Sequence, residues 1–151
     1  MTEPQRLQQP PPRPARLLGL DPGERRTGVA LSDDLGMFAH PRAAITGLGE
    51  PAIAAISDIV SREGVSEIVV GLPLSLSGAE SAQTASARKF ARELRARLGL
   101  RVTEWDERLS SVQAARSVKG AARRGSGELD SAAAAVVLQA FLDARANGVA
   151  R

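Results

Sequence analysis

Acidic side chains stand where the apolar segments of this sequence end or begin. They are Asp21, Asp106, Glu107 and Asp130. In α/β proteins functional groups gather at such positions, because strands end and helices begin at one edge of the sheet. Each acid also has an ordinary interpretation, as a turn residue, a solvated strand end or a favourable charge in the first turn of a helix. The chemistry therefore depends on whether the fold brings these carboxylates together.

Asp130 is the most informative of the four acids. Ala134, Val137 and Phe141 follow it at helical spacing, which places Asp130 on the stripe of the last helix that is predicted to face the sheet. A carboxylate buried alone is strongly unfavourable, because it loses its hydration without gaining a partner. We therefore expect Asp130 to have a partner nearby.

If the first and last predicted strands lie near each other, the acids can converge on a cation. Carboxylates that meet without one repel, and each raises the pKa of the others. The chain has no cysteine and a single histidine, His40, which we interpret as a loop or strand residue. Oxygen ligands of this kind favour Mg²⁺ or Mn²⁺ over zinc. One or two such ions can activate water and stabilise the leaving oxygen in phosphodiester hydrolysis.

The positive charge of the chain is concentrated in one block. The 151 residues carry a net charge of +3, but residues 86–124 hold 11 basic and 4 acidic side chains, a net charge of +7. The preceding residues carry −3 and the following residues −1. Such a block favours a polyanionic partner such as nucleic acid, although solvated helix faces produce the same pattern.

The elements that must position these groups alternate in type along the chain. Strands are predicted at Leu17–Asp21, Thr27–Asp33, Met37–Ile45, Glu67–Pro73 and Arg101–Trp105, and helices at Glu50–Glu63, 79–98, from Ser110 or Ser111 to Lys119, and Leu129–Ala146. The first two strands form an antiparallel hairpin, and the continuous apolar run of the fourth is typical of a buried parallel strand. The sequence thus predicts an α/β fold with a mixed five-stranded sheet flanked by helices.

Length and composition indicate one domain at residues 16–146, between a disordered Pro-rich tail at 1–15 and a C-terminal tail at 147–151. The N-terminal segment lacks the apolar core of a secretory signal, and no apolar run is long enough to span a membrane. We therefore expect a cytoplasmic protein with no membrane partner, either a monomer or a homodimer.

Four short motifs, taken in order, resemble those of the YqgF/RuvX family. They are Gly19-Leu20-Asp21-Pro22-Gly23 with Gly28-Val29-Ala30, then Ile68-Val69-Val70-Gly71-Leu72-Pro73, then Asp106-Glu107-Arg108-Leu109-Ser110, and then Leu129-Asp130-Ser131-Ala132-Ala133. Each motif alone is weak, but four in this order and spacing are specific. The resemblance runs from about Leu17 to Ala144 and includes nearly the whole chain except its tail.

The resemblance implies a ribonuclease H-like fold and a metal-dependent nuclease that hydrolyses phosphodiester bonds of structured nucleic acid. Members are described as pre-16S rRNA nucleases and as Holliday-junction-resolvase-like proteins. The leading expectation is five-prime-end processing of pre-16S rRNA in ribosome biogenesis. The alternatives are a Holliday junction resolvase acting on four-way DNA in recombination or repair, and a non-catalytic RNA- or DNA-binding module. A nucleotide-binding protein of the actin and sugar-kinase superfamily needs two lobes, for which 151 residues leave no room.

The family's motif acids correspond here to Asp21, Asp106 and Asp130 as metal ligands for Mg²⁺ or Mn²⁺, with the adjacent Glu107 as a further catalytic acid. Resolvases of the wider superfamily place an acid on the fourth strand, but the segment Ile68–Pro73 of this chain contains none. The Asp106–Glu107 pair would have to replace it. Which of the two is the ligand, and whether one or two ions bind, stays open.

Candidate contacts to nucleic acid complete the site. Gly23 allows close approach of the backbone to a phosphate, and Arg108 either contacts the scissile phosphate or pairs with Glu107. The acid-free basic run contributes Arg116, Lys119, Arg123 and Arg124. Trp105 is expected in the core, with base stacking as the alternative. RNA and DNA are not distinguished, because no residue points to recognition of a 2′-hydroxyl group.

Overall fold

A computed structural model describes residues 16–75, 77–110 and 128–148, without the side chains of 128 and 129. The strands are β1 (Arg16–Pro22), β2 (Arg26–Ser32), β3 (Ala39–Thr46), β4 (Val65–Leu72) and β5 (Arg101–Asp106). The helices are α1 (Glu50–Glu63), α2 (Ala82–Leu98) and α3 (Glu128–Ala146), and a 3₁₀ turn at Glu107–Leu109 follows β5. The predicted helix that ends at Lys119, the basic run and both tails beyond 16–148 lie outside the described residues.

The five strands form one sheet in the order β3-β2-β1-β4-β5. Strands β1, β2 and β3 pair antiparallel, whereas β1 with β4 and β4 with β5 pair parallel. The predicted hairpin, the buried parallel strand and the mixed five-stranded sheet are confirmed. Because β1, β4 and β5 run in one direction, their carboxyl ends meet at the same edge of the sheet, and β1 and β5 are separated there by β4 alone.

Helices cover both faces of the sheet, and the alternation of side chains along each strand supplies both cores. On one face, residues such as Leu18, Leu20 and Val70 pack against α1 and α2. On the other face, residues such as Leu17 and Val69 pack against α3. The side chain of a strand residue therefore has a defined face, which decides what each functional group can reach.

Several predicted boundaries differ from the structure by one to three residues, and two of them differ because polar side chains bind the backbone there. The predicted helix at 79–98 begins at Ala82, since the Ser81 hydroxyl accepts from the Thr84 N–H at 3.3 Å and the Thr84 hydroxyl accepts from the Ser81 N–H at 3.1 Å. Strand β2 ends before Asp33, whose carboxylate accepts hydrogen bonds from the backbone N–H groups of the loop that follows.

Helix α3 is fixed to the sheet at both ends. At its start, a Cβ atom added to Gly28 would lie 1.9 Å from the Asp130 carbonyl oxygen, so the helix backbone lies directly on β2. The Ser131 hydroxyl accepts a buried hydrogen bond of 3.2 Å from the Val29 N–H. At its end, Arg145 donates to both carboxylate oxygens of Glu67 at 2.8 and 2.7 Å. Within the described ranges, no helix combines the length and apolar character needed to cross a bilayer.

The substitution Gly28→Ala should destabilise the fold, because the new methyl group meets helix backbone that cannot move without lifting α3. Overpacking of this kind costs about 1–3 kcal/mol and occasionally more, measurable as a lower free energy of unfolding in urea. Gly71→Ala is the matched control on the same face. Its methyl group would lie 3.2 Å from a Glu107 carboxylate oxygen and 3.3 Å from a Val137 methyl group, so these side chains need to move by only a few tenths of an ångström. Equal losses in both variants would contradict this account.

Candidate functional site

The Asp21 side chain lies at the carboxyl end of β1, in the middle of the sheet. It is 2% exposed, and its Oδ1 atom is excluded from solvent. Asp21 pairs in register with Gly28, and it shares a strand face with Gly19, whose added Cβ would meet Leu138 of α3 at 2.7 Å. The carboxylate therefore lies on the face of the sheet that packs against α3.

The Glu107 carboxylate lies on this same face, over the neighbouring strand β4. A Cβ atom added to Gly71 would be 3.2 Å from Glu107 Oε1, and this oxygen is excluded from solvent. Leu20 pairs with Val70, so that Asp21 and Gly71 are neighbours one residue further along the two strands. The absence of a side chain at Gly71 thus provides the space in which the Glu107 carboxylate lies next to the strand of Asp21.

Asp130 occupies the first turn of α3, at the rim of the same region. Its side chain is 31% exposed, and its Oδ2 atom lies 3.5 Å from Arg26 Nε. The stripe beneath it is buried as predicted, with Ala134 and Val137 fully buried and Phe141 nearly so. The partner expected for Asp130 is therefore a cation, Arg26, which the sequence motifs do not single out. We call the end of the sheet that carries Asp21, Glu107 and Asp130 the acidic edge.

Asp106 is oriented differently from the other three acids. Trp105 packs edge-on against Phe141 of α3 with ring centroids 5.5 Å apart, so the alternation along β5 directs Asp106 to the opposite face. Asp106 Oδ1 accepts from the Arg108 backbone N–H at 2.9 Å, and Arg108 Nη2 donates to Oδ2 at 2.6 Å. These hydrogen bonds, above all those of the guanidinium group, hold the pKa of Asp106 below its ordinary value.

The expected site of Asp21, Asp106 and Asp130 is not assembled as a ready set of ligands. In the part of the chain that the structure describes, no three acidic or histidine side chains are gathered closely enough to hold a metal ion. Asp106 is bound to Arg108, and Asp130 approaches Arg26. The donor chemistry nevertheless fits a hard cation, because Asp21, Glu107 and Asp130 offer carboxylate oxygens on one face and Gly71 leaves the space for one of them.

The remaining predicted residues are placed as follows. Gly23 lies in the turn between β1 and β2, where an added Cβ would be 2.7 Å from the Arg26 carbonyl oxygen. Trp105 belongs to the core that covers α3, which agrees with its structural interpretation. His40 is an exposed residue of the outer strand β3. Four of the predicted basic contacts lie outside the described residues: Arg116, Lys119, Arg123 and Arg124.

Arg26 is the residue that sequence reasoning missed. The available signal was its position two residues before Gly28, because the period of two along a strand places both on one face. Recognising it required the register of the hairpin, which brings Gly28 opposite Asp21.

A family model and several curated relatives match most of this chain. A family model described as "RuvX: Holliday junction resolvase" matches residues 15–144. The chain is 42% identical over 132 residues to the "Putative pre-16S rRNA nuclease" of Moorella thermoacetica, covering 85% of this chain and 94% of that one. It is 41% identical over 135 residues to the protein of the same name from Chloroflexus aggregans, covering 87% and 95%.

Solved structures resemble the fold at low sequence identity. The RuvC structure of Thermus thermophilus aligns with a TM-score of 0.57 at 17% identity and covers 90% of this chain and 98% of that one. The same organism's RuvC in complex with a Holliday junction substrate aligns with a TM-score of 0.55 at 18% identity, covering 91% and 98%. The expected ribonuclease H-like fold is confirmed by this similarity.

Arg108→Gln should raise the pKa of Asp106 towards the ordinary aspartate value, because the guanidinium group that lowers it is lost. The backbone N–H bond remains, so the return is incomplete. Because the pKa of Asp106 is lower in the folded than in the unfolded protein, the Asp106–Arg108 pair stabilises the fold at pH values above the unfolded aspartate pKa. This stabilisation is lost as the pH falls through the pKa that Asp106 has in the folded protein. Carbon-13 NMR titration of the aspartate carboxyl groups measures the shift. Arg62→Gln removes the same charge from α1 and should leave Asp106 unchanged; equal shifts would contradict the assignment.

Proposed function

The chain belongs to the RuvX family, and we propose that its acidic edge is the active site of a metal-dependent nuclease that hydrolyses phosphodiester bonds of structured nucleic acid. One observation carries the proposal: Asp21, Glu107 and Asp130, from three separate segments, share one face at one end of the sheet. Nucleases of this fold generally use divalent metal ions.

Within this proposal the carboxylates of Asp21, Glu107 and Asp130 hold Mg²⁺ or Mn²⁺. When bound, such an ion supplies an activated water molecule and stabilises the charge of the leaving oxygen. Asp21 is fixed by the sheet, Asp130 by the contact of α3 with Gly28, and Glu107 by the 3₁₀ turn after β5. Burial of the Asp21 and Glu107 oxygens excludes competing water from the carboxylates and strengthens their interaction with a cation.

Asp106 takes a supporting part in this proposal. Its carboxylate binds the Arg108 backbone and guanidinium group together, which orients the arginine at the end of β5. Between the two adjacent acids we therefore assign the metal to Glu107, and to Asp106 the positioning of Arg108. The role of Arg108 as a phosphate contact stays part of the proposal.

The substrate we propose is the five-prime end of pre-16S rRNA, processed in the cytoplasm during ribosome biogenesis. Relatives at 41–42% identity over most of their length carry that name. The second candidate is a four-way DNA junction, favoured by the description of the family and by the RuvC complex with its Holliday junction substrate. A resolvase that cuts two symmetric strands would act as a homodimer, whereas end processing needs only a monomer.

Asp21→Asn should abolish cleavage while leaving the fold and nucleic-acid binding intact, because it removes one negative charge from the acidic edge without changing side-chain shape. The assay compares a structured RNA that carries the pre-16S rRNA five-prime end with a four-way DNA junction, in Mg²⁺, Mn²⁺ or EDTA. Metal-dependent cleavage of the RNA and little of the junction supports the primary candidate; the reverse supports the second. Equal cleavage by the variant would place the activity elsewhere.

Glu107→Gln and Asp106→Asn form a matched pair at adjacent positions. Loss of a charged metal ligand should reduce turnover by about 10²–10³-fold or more in Glu107→Gln. Asp106→Asn should keep more activity, since its single amide oxygen can still accept the Arg108 backbone N–H bond, although the second acceptor of the guanidinium group is lost. Turnover and Mn²⁺ affinity, measured in both variants, check the assignment. Greater damage from Asp106→Asn in both measurements would make Asp106 the ligand instead.

A further inference from the structure

Arg26 places a positive charge at the acidic edge that neither the family motifs nor the predicted contacts use. It opens β2 and alternates with Gly28 and Ala30, and Ala30 packs against α3. The Arg26 side chain, 30% exposed, therefore lies on the face that carries Asp21, Glu107 and Asp130.

The guanidinium group is held loosely compared with that of Arg108. Its Nε atom lies 3.5 Å from Asp130 Oδ2, whereas a strong charge-assisted hydrogen bond measures about 2.7–2.9 Å. Nε is also excluded from solvent and makes no hydrogen bond within the described residues. The contact with Asp130 therefore satisfies the Nε donor only weakly.

Stability does not explain the contact. The ion pair is partly exposed on both sides and long, so that it contributes little to folding. The start of α3 is already fixed by the backbone contact at Gly28 and by the buried hydrogen bond of Ser131. Removing the Arg26 charge should therefore leave the helix in place.

We propose that Arg26 binds the scissile phosphate of the substrate, and that its contact with Asp130 is the resting position of the guanidinium group. This inference rests on the proposed nuclease function. Asp130 and the phosphate compete for one cation, and a divalent ion held by the Asp130 carboxylate would leave Arg26 available to the phosphate. The planar fork of the guanidinium group donates two N–H bonds to the non-bridging phosphate oxygens and keeps its proton throughout. No covalent bond to Arg26 forms or breaks.

Arg25 provides a matched control. It is the neighbouring arginine, lies in the β1–β2 turn and is exposed. Unlike Arg26, it does not belong to strand β2. Arg25→Gln and Arg26→Gln remove the same charge one residue apart, so long-range electrostatics affect both variants alike. A difference between them reports a local contact.

Two measurements test the contact without relying on turnover. The first is fluorescence anisotropy of the pre-16S rRNA five-prime-end RNA and of a four-way DNA junction, in Ca²⁺. Arg26→Gln should weaken binding of the substrate more than Arg25→Gln does. The second is Mn²⁺ binding by electron paramagnetic resonance, without nucleic acid. Arg26→Gln should tighten it, because a cation that competes for Asp130 is gone.

Turnover provides the third measurement. Arg26→Gln should lose about 10²–10³-fold in kcat, and Arg26→Lys should recover part of the binding but little of the kcat, because an ammonium group lacks the planar fork. Weaker Mn²⁺ binding in Arg26→Gln, or equal substrate affinity in the two glutamine variants, would overturn the proposal. If the native protein cleaves neither substrate, the proposed function fails, and the anisotropy and Mn²⁺ comparisons still decide whether Arg26 contacts phosphate.

Discussion

The close contact between the start of helix α3 and strand β2 is the constraint on which the acidic edge depends. Gly28 lets the Asp130 carbonyl oxygen approach the strand backbone to a distance that excludes any Cβ atom, and the Ser131 hydroxyl binds the next residue of the strand. Gly28 also pairs with Asp21. One position without a side chain therefore sets the separation of two carboxylates that lie more than 100 residues apart in sequence. At the far end of the helix, Glu67 and Arg145 keep α3 from pivoting about this contact.

Arginines lie beside two of the four acids. Carboxylates on one face repel one another, and a nearby cation reduces this repulsion. Arg26 approaches Asp130 from β2, while Arg108 binds Asp106 on the other side of β5. The two arginines differ in how firmly they are held, and this difference is the basis for proposing that only Arg26 exchanges its partner. A divalent ion would replace the loosely held arginine without disturbing the firmly held one.

Most elements of the fold follow from local patterns, and their faces follow from periodicity. Helix α1 was predicted with its observed bounds, because Gly64 ends it in a left-handed conformation that favours glycine. The hairpin and the buried strand β4 were predicted from alternating and continuous apolar runs. The sequence motifs identified the acids of the edge, but not their arrangement. That arrangement depends on register, which places Gly71 beneath Glu107, and register between strands that are distant in sequence leaves no local signal.

The ambiguity between Asp106 and Glu107 has a geometrical origin. Consecutive residues at the end of a strand point to opposite faces, so only one of two adjacent acids can join a site that lies on the face of α3. Trp105 shows which of the two acids this is, because its ring packs against Phe141 on the face of α3. Glu107 is two residues further on and therefore lies on the same face. Asp106 is then free to bind the turn that follows, where its hydrogen bond to the Arg108 backbone stabilises the 3₁₀ conformation that carries Glu107. The two acids are thus coupled: one shapes the turn, and the other uses the orientation that the turn provides.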